Sequence, residues 1–134
     1  MLNEYQQRAL RVTLMSIEKD LFEIEQMLKT EDYRGILYAM KNDVLDGEAM
    51  LSIISLAREE IRAIAKHFSL QKKDITTSRQ ISAKLAHCWE ILEDSRAKKL
   101  KSYGSIEEGL EKMLDPRIEV LIDLLAGMGR KLRT

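Results

Sequence analysis

The sequence has few of the residues that interrupt helices. Among its 134 residues there are one proline and six glycines, and aromatic residues make up only 5%. Valine and threonine, which favour strands, are outnumbered by the helix formers leucine, isoleucine, alanine, glutamate, lysine and methionine. This composition predicts an all-α protein.

The sequence also lacks the patterns expected of an internal disulfide, a membrane span or a signal peptide. Cys88 is the single cysteine, so it cannot form a disulfide within the chain. No stretch approaches the ~18 consecutive apolar residues of a membrane-spanning helix. The opening MLNEYQQRALRV carries charges and amides where a signal peptide needs an apolar run. We therefore expect a cytoplasmic protein without a membrane partner.

Neither sign of charge is in excess. The chain carries 22 basic and 22 acidic side chains, which gives a net charge of zero. Proteins that bind nucleic acids usually carry a positive excess on the domain or on one of its faces. The balance argues against a nucleic-acid partner and leaves only a local basic patch as a candidate.

Apolar residues are abundant, and they recur at spacings of three and four in three stretches. That spacing places them in one narrow stripe along a helix, as is typical of helices packed side by side. A single long coiled coil would use the same spacing, but the stretches are separated by breaks. The three stripes are Leu10, Leu14, Ile17, Leu21, Ile24, Leu28; Met50, Ile54, Ala57, Ile61, Ile64, Phe68; and Ile81, Leu85, Cys88, Leu92.

Polar segments, glycines and the proline mark the breaks. Gly35 predicts a bend, with an extra turn at 36–40, and Asp43 or Asp46 can cap the second helix. The predicted main helices are 3–29, 44–68, 77–102 and 116–131, with a short helix at 106–113. Helices of similar length with short connections favour antiparallel neighbours. We therefore predict one domain over 1–134, an antiparallel up-and-down four-helix bundle with one extra short helix.

One stretch could carry chemistry. In REEIRAIAKH, residues 58–67, Arg62 stands five positions before His67. This spacing resembles the Arg-x4–6-His motif of HEPN-type helical RNases, although Ala63 stands where that family usually has a polar residue. The resemblance implies action on RNA or nucleotides through Arg62 and His67. Positions five apart on a helix point about 140° apart, so the pair could converge only with a second subunit.

Metal and cofactor motifs are missing from the sequence. It has no Glu-x-x-His pair, no paired cysteines and no glycine-rich phosphate loop. His87 is similar in placement to the histidine of phosphotransfer modules, but Cys88 and Trp89 follow it where those modules carry lysine and glycine. We therefore expect no metal, no cofactor and no catalysis.

The densest run of one charge is RAKKLK at 96–101. Its cations are a candidate anion or nucleic-acid patch, namely Arg96, Lys98, Lys99 and Lys101. The alternative is structural, because cations near a helix C-terminus offset its exposed carbonyl groups.

The last predicted helix is apolar around most of its circumference. On a helical wheel with Ile118 as origin, Val120 and Leu124 fall at about 200–240°, far from the side that faces a core. An apolar patch rimmed by charge commonly marks a protein interface, and a twofold dimer is the commonest symmetric assembly. The predicted interface residues are Val120, Leu124, Met128, Ile53 and Leu56.

These features predict a small non-catalytic helical protein that acts through protein–protein contact and self-association. The alternative is a HEPN-like domain that uses Arg62 and His67. A competing expectation for the apolar patch is that segment 33–42 or 106–113 folds over it.

Overall fold

The computed structural model describes residues 1–132 and divides into two compact units, Met1–Lys72 and a second that begins at Lys73. Over the described residues it contains five α-helices, one short 3-10 helix and one two-stranded sheet. The predicted all-α class is confirmed. The single domain and the four-helix bundle stay predictions.

The first unit is built from two long helices joined through a small hairpin. Its elements are α1 (Glu4–Lys29), β1 (Tyr33–Arg34), β2 (Ala39–Met40) and α2 (Gly47–His67). A capping box starts α1, where Asn3 and Gln6 each accept the other's backbone N–H. Asp46, one of the two predicted caps, accepts the N–H of Ala49 at the start of α2.

Contacts at both ends show that α1 and α2 run antiparallel. Near the start of α1, the Gln7 side-chain amide donates to the carbonyl of Phe68, just past the end of α2, at 3.2 Å. Nearer its end, Glu25 accepts a 2.6 Å hydrogen bond from Arg58 on α2. Between these points most residues of the predicted apolar stripes are buried or half-buried, whereas Ile17 and Ile24 are exposed.

The turn predicted at 36–40 is wrong, because this segment belongs to an antiparallel β-hairpin. Tyr33 pairs with Met40 and Arg34 with Ala39. The N–H of Gly35 donates to the carbonyl of Tyr38 at 2.8 Å and closes the loop. A side chain at Gly35 would place its Cβ 3.0 Å from that carbonyl oxygen, so only glycine fits without a shift.

The second unit contains α3 (Thr77–Glu93), α4 (Ala97–Leu100), a 3-10 turn (Lys101–Tyr103) and α5 (Leu110–Lys131). Just past the end of α3, Arg96 donates a 2.6 Å hydrogen bond to Glu119, near the middle of α5. Leu85, in the middle of α3, lies 3.7 Å from the position of a Cβ on Gly129, near the end of α5. This order of contacts makes α3 and α5 antiparallel.

The helix predicted at 77–102 is interrupted at residues 94–96, so that prediction is wrong. Arg96 is extended there, with ψ of 153°. The Ser95 hydroxyl donates to the carbonyl of Ile91, closing the end of α3. The carboxylate of Asp115 on α5 accepts the N–H of Ala97 at 2.9 Å and so provides the cap for α4.

The boundaries predicted around residues 106–116 are also wrong. No separate helix occupies 106–113, and α5 begins at Leu110 rather than at Pro116. Gly109 precedes it with φ of 89°, a conformation that glycine adopts without strain. Pro116 lies within α5, where it leaves the carbonyl of Lys112 without its helical donor. Lys112 is exposed, so water can satisfy that carbonyl.

The core is small. Only Ile54, Ala97 and Ile118 are buried among the described residues, and the remaining stripe residues are half-buried or more exposed. None of the described helices combines the length and apolarity that crossing a membrane requires.

We predict that Ile118→Ala lowers the free energy of unfolding by about 2–5 kcal/mol, because it removes buried carbon atoms and leaves a cavity. Ile91 on α3 provides a matched control, since it is 50% exposed against 7% for Ile118. Urea denaturation followed by circular dichroism measures both variants. An equal cost for Ile91→Ala and Ile118→Ala would contradict the assigned core.

Candidate protein-binding surfaces

The two residues of the RNase-like spacing have separate partners. Arg62 forms an ion pair with Glu59, one turn earlier on α2, and both side chains are exposed. Hydrogen bonding to that carboxylate raises the pKa of Arg62. The ring of His67 packs edge-on against Phe68, with centroids 4.7 Å apart. The structure therefore does not pair Arg62 with His67.

Arg62 does line a groove of about 340 Å³ together with Arg11, Arg58 and Lys72. Four cations in one groove could hold an anion. The carboxylate of Glu18 also lines the groove, however, and Arg58 and Arg62 already pair with Glu25 and Glu59. His67 is not among the lining residues. The groove thus lacks the second residue that the catalytic hypothesis needs.

In the basic run, Arg96 has a structural role. Its guanidinium donates to Glu93 at 3.0 Å and to Glu119 of α5 at 2.6 Å. These two carboxylates, first Glu93 and then Glu119, raise the pKa of Arg96. Arg96 therefore links the end of α3 to α5.

The remaining cations of the run are exposed, namely Lys98, Lys99 and Lys101. Lys101 lines a shallow depression together with Glu107, Glu108 and Glu111. The neighbouring carboxylates offset its charge for any anionic ligand.

The described residues contain no group of three or more histidines, cysteines, aspartates or glutamates placed to hold a metal ion. His87 is exposed on α3, and the thiol of Cys88 is free and partly buried.

All five predicted interface residues are exposed. Val120, Leu124 and Met128 on α5, and Ile53 and Leu56 on α2, are between 51% and 69% exposed. Met113 extends the stripe on α5, since it lies at about 220° on the same wheel and is 75% exposed. The sequence prediction missed Met113 because it assigned this residue to a different helix.

The second unit also has an apolar groove between α3 and α5, with a volume of about 360 Å³. Leu85 and Trp89 line it from α3, and Ile122 and Ala126 from α5, with Arg130 at one end.

A further pocket, of about 250 Å³, lies in the first unit where the end of α1, the hairpin and the start of α2 meet. Apolar side chains from all three elements line it. The sequence prediction missed this pocket because it expected a helical turn in place of the hairpin. The apolar lining residues are Ile24, Met27, Leu28, Tyr33, Met40, Val44 and Met50.

No family model matches the chain, and neither a curated protein nor a solved structure does. Its function must therefore be inferred from its own surfaces.

We predict no metal-independent ribonuclease activity that depends on His67. Incubation of the purified protein with structured and single-stranded RNA, beside His67→Ala and Arg62→Ala, measures this. Wild-type cleavage that both variants lose would instead support the HEPN-like function.

A pH prediction follows from Glu25, whose pKa the hydrogen bond from Arg58 holds below its usual 4.5. A carboxylate whose pKa is lower in the folded state stabilises the fold above pH 4.5, and this contribution is lost as pH falls through the folded pKa. As the pH falls below 4.5, we expect the free energy of unfolding to decrease less for Glu25→Gln than for the wild type. Urea denaturation across pH 2.5–7 measures this.

The control is Glu23→Gln on the same helix, where the described residues provide no ion-pair partner. If the free energy of unfolding falls with pH as steeply for Glu25→Gln as for the wild type, the Glu25–Arg58 pair does not stabilise the fold.

Proposed function

We propose that this protein is a non-catalytic helical protein of the cytoplasm that works through protein–protein contact, first with a second copy of itself. The observation that carries the proposal is the amount of apolar surface that its helices leave exposed. The predicted single-domain, up-and-down four-helix bundle is carried forward as part of this proposal.

The exposed area supports an association role. The chain exposes 11664 Å². Two separate globular proteins with the sizes of the two units would together expose roughly 8,700 Å². The excess, about 3,000 Å² of polar and apolar surface together, is larger than the roughly 1,000–2,500 Å² that each subunit contributes to an obligate dimer. There is enough surface for a stable homodimer.

The outer stripe of α5 is the best candidate for the dimer contact. From Met113 to Met128 it extends for about 22 Å along the helix. Its apolar residues are separated by spacings of four and seven residues, with Arg117 between Met113 and Val120. In a twofold dimer the same stripe is buried on both copies, so one contact covers the exposed residues of both stripes.

Ile53 and Leu56 give α2 a second exposed apolar site. They lie off the stripe that faces α1, so packing within the first unit does not cover them. We include this face in the proposed interface.

We predict that the wild-type protein is a dimer of about 31 kDa in light scattering at micromolar concentration, twice the 15.5 kDa of one chain. Leu124→Glu should yield a folded monomer, because dimerisation would bury two unpaired carboxylates. Circular dichroism verifies that its helices remain.

Leu45→Glu is the matched control, since Leu45 is fully exposed and lies outside both faces. This variant should remain dimeric. A monomeric wild type would contradict the proposal, and a Leu124→Glu variant that remains a dimer would exclude the α5 stripe as the contact.

A further inference from the structure

The pocket in the first unit has walls that are held in place by hydrogen bonds. The Asn42 side-chain amide donates to the carbonyl oxygens of Leu28 and Thr30, at 3.3 and 2.9 Å. The backbone N–H of Asn42 donates to Asp32, and its side-chain oxygen accepts the N–H of Val44. One residue thus fastens the hairpin and the approach to α2 onto the end of α1. A pre-formed pocket loses less entropy on binding.

The lining favours an apolar partner of adaptable shape. Met27, Met40 and Met50 enter the pocket from α1, β2 and α2, respectively. Methionine is flexible and polarisable, and it is common on surfaces that accept varied apolar side chains. Tyr33 adds an aromatic ring, a residue type enriched at binding hot spots.

The size of the pocket favours a side chain over a free small molecule. Its volume of about 250 Å³ lies below the roughly 300–1,000 Å³ of ligand-binding pockets. At the tip of the adjoining hairpin, Ile36 and Leu37 are 101% and 95% exposed, so the described residues do not cover them. These two side chains offer further apolar contact to a partner anchored in the pocket.

The charge around the pocket decides what kind of partner fits. The lining comes from residues 24–50, which contain six acidic and three basic side chains, although the chain as a whole is neutral. One of the six, Glu25, already pairs with Arg58. Of the others, Glu31 and Asp43 line the pocket, together with Lys41. A surface of this sign repels nucleic acids and anionic lipids and attracts cationic segments.

We propose that this pocket binds a basic amphipathic helix of a partner protein. One apolar side chain of that helix enters the methionine-lined pocket, and its lysines or arginines face the acidic rim. Amphipathic helices bind apolar grooves in this way, through anchors spaced three to four residues apart. The proposal is independent of self-association, because the pocket uses neither the α5 stripe nor Ile53 and Leu56.

Fluorescence anisotropy tests the proposal with a labelled 18-residue helical peptide of leucine and lysine that has one apolar face. The control peptide replaces every lysine with glutamate. We expect a Kd on the order of 10 µM for the lysine peptide and at least roughly tenfold weaker binding for the glutamate peptide. Binding of the lysine peptide should weaken as salt rises, because salt screens the charge attraction. Equal binding of both peptides would overturn the proposal.

Variants of Met27 locate the binding site. Met27→Ser removes an apolar wall and should weaken binding of the lysine peptide at least roughly tenfold, whereas Met27→Leu conserves the apolar volume and should bind as the wild type does. Ile91→Ser is the control, since Ile91 is 50% exposed against 52% for Met27 and belongs to neither the pocket nor the proposed dimer faces. If Met27→Ser binds like the wild type while circular dichroism shows it folded, the pocket is not the site.

A double reversal, Glu31→Lys with Asp43→Lys, tests the charge contribution. It should weaken the lysine peptide and strengthen the glutamate peptide, and no change in either would contradict the role of the rim.

Two of these variants, Leu124→Glu and Met27→Ser, distinguish peptide binding in the pocket from self-association. Leu124→Glu should bind the lysine peptide as tightly as the wild type, whether the wild type is a monomer or a dimer. If Met27→Ser lowers the mass in light scattering and the lysine peptide dissociates the dimer, a second copy of the chain occupies the pocket. That result would overturn the assignment to a partner protein.

Discussion

A helix packed against one neighbour can bury only one stripe of its surface, and this constraint determines most features of the molecule. In each unit two long helices share one seam, α1 with α2 and α3 with α5. Within each unit, no further long helix among the described residues covers the remaining faces of the pair. The small core around Ile54 and Ile118, and the many exposed apolar side chains, follow from that geometry.

With so little buried surface, polar contacts determine how the helices of each pair align. Arg58 joins α2 to α1 through Glu25, and Arg96 joins α3 to α5 through Glu119. Partly exposed pairs of this kind contribute modestly to stability in water. They also fix the register of the two helices, since an apolar stripe alone permits sliding by one turn. Asn42 has the same role for the hairpin, through hydrogen bonds to α1.

The apolar periodicity predicted the all-α class, the first two long helices and most of the stripe residues that lie buried or half-buried, because these depend on neighbours along one helix. The break after Glu93 could not be predicted in this way. It depends on a cap from Asp115, a residue 18 positions beyond Ala97 in sequence. The methionine-lined pocket was missed for a similar reason, since Met27, Met40 and Met50 meet only through a hairpin with two residues per strand. The exposed stripe of α5 was predictable because it requires only the angular position of each residue.

The division of the chain near Lys72 also affects how the protein is made. Each unit is continuous in sequence, so the first 72 residues contain both helices of the first pair. The contacts within this unit therefore need no residue that is translated later, and N-terminal segments emerge first during synthesis. Nascent chains on one message would then display α1–α2 pairs side by side. Under the proposed self-association, Ile53 and Leu56 of neighbouring nascent chains would be able to pair before release from the ribosome.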